Sequence, residues 1–206
     1  KCMPFFDLKI ASDGEVLIKG DNVMKGYYKN PKATEETIID GWLQTGDVGK
    51  IDSDGYLFIT GRKKEIYVSS SGKNVAPLVI EESMKSIPIV SQCFLVGDNR
   101  KFCSALITLD MSVILRDHIG VDVNEIPKDP SKQNEMILAN NKKLSDYTDN
   151  QDIFEKVSDD IQKLNQNFSS PEQIKKFSIL PRDFSIDDGE LTPTLKIRRK
   201  QINENW

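Results

Sequence analysis

Residues 41–77, GWLQTGDVGKIDSDGYLFITGRKKEIYVSSSGKNVAP, decide how this chain is read. They read as strand, turn, strand, and then a polar, glycine-containing loop that enters a helix. Asp54-Gly55 lies between two apolar runs, residues 48–51 and 56–59, and such a pair marks a hairpin because glycine supplies the positive φ that a tight reversal needs. Two short polar clusters flank the strands, Thr45-Gly46-Asp47 and Gly61-Arg62-Lys63-Lys64. An Asp and an Arg presented at the two ends of one hairpin can hold one polar ligand between them. A hairpin with solvated ends has the same pattern, and both readings stand at this level.

Downstream, Pro77 suits a first helical turn, and Ile80, Met84 and Ile87 form one apolar stripe that Pro88 ends. Residues 89–96 and 102–109 are apolar runs of strand length, joined by a hairpin loop at residues 97–101. Cys93 and Cys103 fall inside these runs, where a small thiol is ordinarily buried. Residues 117–151 hold Pro127, Pro130 and many Asn, Asp and Lys, and read as an irregular, mobile polar segment in which short helical pieces can form. Ile153, Val157, Ile161, Leu164 and Phe168 then share one face of an amphipathic helix, and residues 174–180 return to strand. Upstream, residues 16–20 are a strand ending at a turn, and Gly14-Glu15 marks the turn before it. Asn30-Pro31 breaks structure, and residues 33–39 make two helical turns with Thr34 as N-cap. Near the other end, Pro193 between two threonines favours an extended loop. Lys196, Arg198, Arg199 and Lys200 follow, on composition the solvated start of a basic helix.

Composition excludes more than it assigns. With 206 residues, 38% hydrophobic and 29% charged, the chain is one globular domain or one and a fraction. A net charge of -4 gives no push toward nucleic acid or an anionic membrane. Three cysteines follow no metal spacing and make no disulfide framework, which fits a reduced, cytoplasmic setting. His118 is the only histidine, so neither a His-based metal site nor a Ser-His-Asp triad can be assembled within the chain. No apolar run is long enough to span a bilayer, and peripheral association with a membrane stays open. The first residues lack a signal peptide's apolar core and read as the start of a fragment. Asn167-Phe168-Ser169 matches a glycosylation triplet by chance in that setting. The loop SSSGKN fails as a phosphate-cradling loop, since Tyr67 and Asn74 stand where that pattern requires Gly and Ser or Thr.

Taken as one ordered set, T-G-D, D-G-Y, G-R and S-S-S-G-K-N-V-A-P resemble the core motif region of the acyl-adenylate-forming, AMP-binding enzyme superfamily. That superfamily holds acyl-CoA synthetases, nonribosomal adenylation domains and firefly luciferase, and the nearest resemblance is to long-chain fatty acid–CoA ligases. V-M-K-G-Y-Y-K-N-P-K-A-T-E upstream and GELTPTLKIRRK downstream resemble the same ligases. Many relatives have P-x-G-K where this chain has Pro193-Thr194-Leu195-Lys196, so the match of Lys196 rests on its spacing from the proline and on the K-I-x-R that follows.

The resemblance implies an α+β fold. Residues 1–61 would be the C-terminal tail of a large N-terminal, adenylate-binding domain. Residues 62–206 would be a lid domain, a small mixed or antiparallel sheet flanked by helices, with a polar insert around 117–150. It implies a ligase that makes an acyl-adenylate from ATP and a fatty acid and then passes the acyl group to CoA, releasing AMP and pyrophosphate. Asp47 and Arg62 would bind the nucleotide, Lys196 would be catalytic, Lys64 would be the hinge, and Ser70, Ser71, Gly72 and Lys73 would line the CoA channel. Mg2+ would be bound by residues upstream of this chain, as would the ATP phosphates, so the 206 residues alone would be inactive. Two other readings remain at this stage: an adenylation domain loading a carrier protein, and a non-catalytic interaction module built on the polar insert and the cationic tail.

Overall fold

Short strands separated by glycine turns build one antiparallel sheet in the first part of the chain. The computed structural model describes residues 6–70 and 72–206. β1 (Phe6–Ile10) pairs with β2 (Glu15–Gly20), β2 pairs with β4 (Trp42–Ile51), and β4 also carries β3 (Ile38–Ile39) and β5 (Leu57–Arg62). The reversal between β4 and β5 falls where Asp54-Gly55 predicts it, with Gly55 at φ +81. Its loop is longer than a two-residue turn, and the Asp52 N–H donates to the Tyr56 carbonyl at 3.0 Å across it. The Asp52 carboxylate closes the loop, accepting the N–H groups of Asp54 and Tyr56 at 2.9 and 2.8 Å.

The helix before this hairpin starts earlier than the sequence predicts. Asn30, not Thr34, caps α1 (Pro31–Thr37), accepting the Ala33 N–H at 3.1 Å. Pro31 takes the first helical position, where its missing N–H costs nothing, so the Asn-Pro pair opens the helix rather than breaking structure. The Thr34 hydroxyl sits inside the helix, accepting the Tyr27 N–H at 2.9 Å and donating to the Asn30 carbonyl at 3.0 Å.

The chain divides into two compact units between Val79 and Ile80. The first unit also holds a small ladder, β6 (Tyr67–Val68) with β7 (Asn74–Val75). α2 (Pro77–Met84) comes next, and its predicted stripe is buried at Ile80, Met84 and the following Ile87. The second unit is built on a mixed sheet ordered β10-β9-β8, in which β8 (Val90–Val96) and β9 (Cys103–Leu109) are antiparallel and β10 (Ile174–Ile179) runs parallel to β9. Cys93 and Cys103 are buried, as their apolar setting predicts, and burial pushes the Cys93 thiol far above the ordinary range. α5 (Gln151–Asn165) buries Ile153, Val157 and Ile161. These elements make the α+β architecture that the sequence predicts.

Short helical pieces, which the sequence allows within residues 117–151, run through residues 111–150. α3 (Met111–Val113) runs into a π-helical segment (Ile114–Ile119), and α4 (Pro130–Ala139) and a 3-10 turn (Leu144–Tyr147) follow. A few apolar anchors decide this: Ile137, Leu144 and Tyr147 are buried although the residues around them are polar.

Candidate functional site

Asp47 and Arg62 face each other across β4 and β5. Counting back from the Ile51–Leu57 pair, an unbroken ladder would set Asp47 against Gly61. The register instead shifts after Gly49–Ile59, so that Val48 pairs with Gly61 and Asp47 with Arg62. Gly49 sits at this irregularity, where a Cβ would come within 2.7 Å of the Phe58 carbonyl. The Arg62 Nε lies 2.9 Å from Asp47 Oδ1, and the side chains remain 57% and 31% exposed. The two residues therefore lie opposite one another at the open end of the hairpin rather than at its two ends. An ion pair this exposed contributes about 0–1 kcal/mol, so its interest is geometric. It sets an acceptor-only carboxylate beside a planar cation within reach of solvent.

The backbone beneath the pair is tied down from a neighbouring strand. The Thr45 hydroxyl donates to the Val16 carbonyl at 2.7 Å and accepts the Asp47 N–H at 3.1 Å. Gly46, at φ +72, donates its N–H to Glu15 Oε1 at 2.9 Å. The Lys63 N–H donates to the Gly46 carbonyl at 2.8 Å. Lys63 Nζ lies 2.6 Å from Asp13 Oδ2 and 2.8 Å from Glu15 Oε2. Bonds to Asp13 and then Glu15 hold the Lys63 ammonium well above the ordinary lysine range, and Lys63 in turn holds the Asp13 carboxyl below its own. Glu15 is buried. Sequence reasoning missed both partners: Lys63 read as part of a short polar cluster and Glu15 as a turn marker.

Lys64 is exposed in the turn that follows, where the N–H groups of Glu65 and Ile66 both donate to the Arg62 carbonyl at 2.8 and 3.0 Å. The loop between β6 and β7 is closed by Ser69, whose N–H donates to the Lys73 carbonyl at 2.8 Å and whose hydroxyl accepts the Lys73 N–H at 3.1 Å. Ser70, Gly72 and Lys73 are exposed on it, and Ser71 lies outside the described residues. Gly72 has φ +76, and a Cβ at this position would meet nothing within 4 Å among the described residues. The backbone conformation, not crowding inside the chain, therefore calls for glycine.

Lys196 belongs to the second unit and sits on a small hairpin. Leu191 bridges Ile197, the Thr192 N–H donates to the Lys196 carbonyl at 2.8 Å, and the Thr192 hydroxyl accepts the Lys196 N–H at 3.0 Å. Pro193, Thr194 and Leu195 form the tip, and Leu195 takes φ +60. That is the left-handed conformation glycine adopts freely and a leucine adopts at a cost. The Lys196 ammonium makes no hydrogen bond or ion pair among the described residues, and the residue is exposed.

Both flanks of this hairpin are anchored. On one side Glu190 is completely buried and receives Arg182 at 2.7 and 3.1 Å, the Ser185 N–H at 3.1 Å, Asn205 at 3.0 Å and the Trp206 indole at 2.8 Å. Burial alone would raise its carboxyl, but these donors outweigh it and hold the group at about 2. On the other side Arg199 opens α6 (Arg199–Asn205) and reaches buried Glu81 at 2.6 Å, which also accepts the Leu95 N–H at 2.7 Å. Arg199 is thus not part of a solvated basic tail. Leu191 and Ile197 pack with Phe94, Leu180, Phe184 and Ile202 in one apolar cluster.

Residues 64–120 match the AMP-binding enzyme C-terminal domain. Over that stretch the chain is similar to a C-terminal domain of the AMP-binding enzymes. The relatives it matches include long-chain-fatty-acid–CoA ligases. Over all of this chain and 32% of that protein it is 41% identical to Long-chain-fatty-acid–CoA ligase FadD15 of Mycobacterium tuberculosis. Over 94% of the chain and 27% of that protein it is 35% identical to Long-chain-fatty-acid–CoA ligase ACSBG1 of Homo sapiens. The chain thus spans no more than about a third of the length of these relatives. Among solved structures, the adenylation domain of the carboxylate reductase of Mycobacterium chelonae matches with a TM-score of 0.68 at 19% identity, covering 97% of this chain and 29% of that one. O-succinylbenzoate Coenzyme A Synthetase of Bacillus subtilis, in complex with AMP, matches with a TM-score of 0.61 at 22% identity, covering 98% and 34%. These likenesses show the fold.

Proposed function

We propose that the chain is the C-terminal part of an AMP-forming long-chain fatty acid–CoA ligase, with the functional boundary at residues 61–62 and Lys64 as the pivot of the lid. The observation that carries this reading is Lys196, an ammonium unpaired among the described residues, on an exposed hairpin whose two flanks are anchored in the core. The names of the relatives point to the same chemistry. In the first half-reaction an oxygen of the fatty acid carboxylate attacks the α-phosphorus of ATP and the bond to pyrophosphate breaks. Lys196 sits between the two anions and offsets their repulsion as they close. Asp47 accepts the ribose hydroxyls and Arg62 holds the ribose or phosphate beside it. In the second half-reaction the CoA thiol loses its proton, its sulfur attacks the acyl carbon, and AMP leaves. The lid then presents the loop carrying Ser70, Ser71, Gly72 and Lys73 in place of Lys196, lining the path of the CoA arm.

The Mg2+ that ATP chemistry implies finds no holder here: among the described residues no three His, Cys, Asp or Glu cluster to hold a metal ion. No helix among the described residues is long and apolar enough to cross a membrane, and a cytoplasmic enzyme is the setting we propose. The test supplies the full-length protein with ATP, palmitate and CoA. Palmitoyl-CoA, AMP and pyrophosphate in equal amounts are expected. Palmitate-dependent pyrophosphate release with transfer only to a carrier protein, or no such release at all, overturns the assignment. The 206 residues alone are expected to release none.

A further inference from the structure

Glu15 and Lys63 occupy no position in the chemistry just described, yet more bonds converge on them than on Asp47 and Arg62. The buried Glu15 carboxylate spends one oxygen on the Gly46 N–H and the other on Lys63 Nζ, at 2.9 and 2.8 Å. Lys63 adds a second ion pair to Asp13 and a backbone bond to the Gly46 carbonyl. Residues 46 and 63 are therefore joined twice, once directly and once through Glu15. Each is the chain neighbour of one member of the Asp47–Arg62 pair. The exposed ion pair cannot hold its own geometry at the energy such pairs supply. The buried carboxylate beneath it can.

We propose that Glu15 is a positioning residue, forming with Lys63 a staple that fixes Asp47 against Arg62 for nucleotide binding and pins the chain immediately before the Lys64 turn. This rests on the ligase reading for its consequence, though not for its geometry. The side chain of Lys64 itself makes no hydrogen bond or ion pair among the described residues. A pivot at Lys64 thus begins at the first residue past a fixed point. Because Asp47 and Arg62 would grip the ribose, which does not react, loosening them weakens substrate and transition state alike. That raises KM for ATP and leaves kcat nearly unchanged.

The test uses Glu15→Gln/Lys63→Met in the full-length protein. This near-isosteric, uncharged pair removes the ion pairs without stranding a buried carboxylate. KM for ATP in fatty-acid-dependent pyrophosphate exchange is expected to rise about tenfold, with kcat and KM for the fatty acid within about twofold. Amide hydrogen exchange at positions 46 and 63 should quicken by a similar factor, and Lys63→Arg, which keeps the cation, should behave as wild type. An unchanged KM for ATP in a folded variant overturns the proposal. So does a general decline in which Tm, kcat and both KM values worsen together, since that marks support of the fold only. If the wild-type protein shows no exchange reaction, the ligase reading fails by itself. Amide exchange then decides the staple, and unchanged protection at 46 and 63 overturns it.

Discussion

The Asp47–Arg62 hairpin and the Lys196 hairpin present their polar side chains in opposite ways. In the first, the two side chains of interest are already paired with each other at 2.9 Å, over a backbone stapled by Glu15 and Lys63. In the second, the side chain of interest is unpaired among the described residues, and the binding is all in the flanks, through Glu190 and Arg199. The difference matches two tasks. A group that holds a nucleotide through both half-reactions gains from a fixed partner. A group that must arrive for one step and leave for the next gains from having none, provided its hairpin does not melt.

If the flanks of the Lys196 hairpin carry its stability, Glu190→Gln is the costliest change. The Glu190 carboxyl is held at about 2 against an ordinary 4.5, so its ionised form is favoured in the folded state. A lowered value contributes stability that is fully present above pH 4.5 and lost as the pH falls through 2. The shift corresponds to roughly 3 kcal/mol. Urea denaturation at pH 7 should show Glu190→Gln destabilised by about that amount. The acid-induced loss of stability below pH 4.5 should be correspondingly flatter in the variant. Equal acid sensitivity of the two proteins would remove Glu190 as the anchor.

Leu195→Gly should act in the reverse direction and more weakly. Relief of the φ +60 leucine is expected to raise stability by about 1 kcal/mol, reduced by the extra freedom of glycine in the unfolded chain. A lowered Tm would show that the leucine packs against something that outweighs its backbone conformation. Arg62→Ala should do least, within about 1 kcal/mol, because it breaks a solvent-screened pair and leaves a half-buried carboxylate within reach of water. A loss of several kcal/mol would mean that the first hairpin is held by its surface pair and not by the staple beneath, erasing the contrast with the second.

Elements defined by local chemistry were legible in the sequence. Asp54-Gly55 placed the reversal, and the Ile80, Met84 and Ile87 stripe placed a buried helix face. What escaped depends on pairing at a distance. The register shift beside Gly49 puts Arg62 rather than Gly61 opposite Asp47, and an alternating pattern carries no mark of such an irregularity. Arg199 finds Glu81 from 118 residues away, so composition alone made it one more cation of a basic tail. Ile137, Leu144 and Tyr147 are too sparse among polar neighbours to announce the helices they anchor.

The two tasks separate most directly in single-turnover measurements on Lys196→Ala in the full-length protein. Pyrophosphate release from ATP and fatty acid should slow by roughly a hundredfold or more, the scale for losing one charge partner of the transition state. Thioester formation from preformed acyl-adenylate and CoA should proceed at the wild-type rate, because the proposed mechanism has Lys196 away from the site in that step. Equal slowing of both steps, or pyrophosphate release at the wild-type rate, would contradict the account.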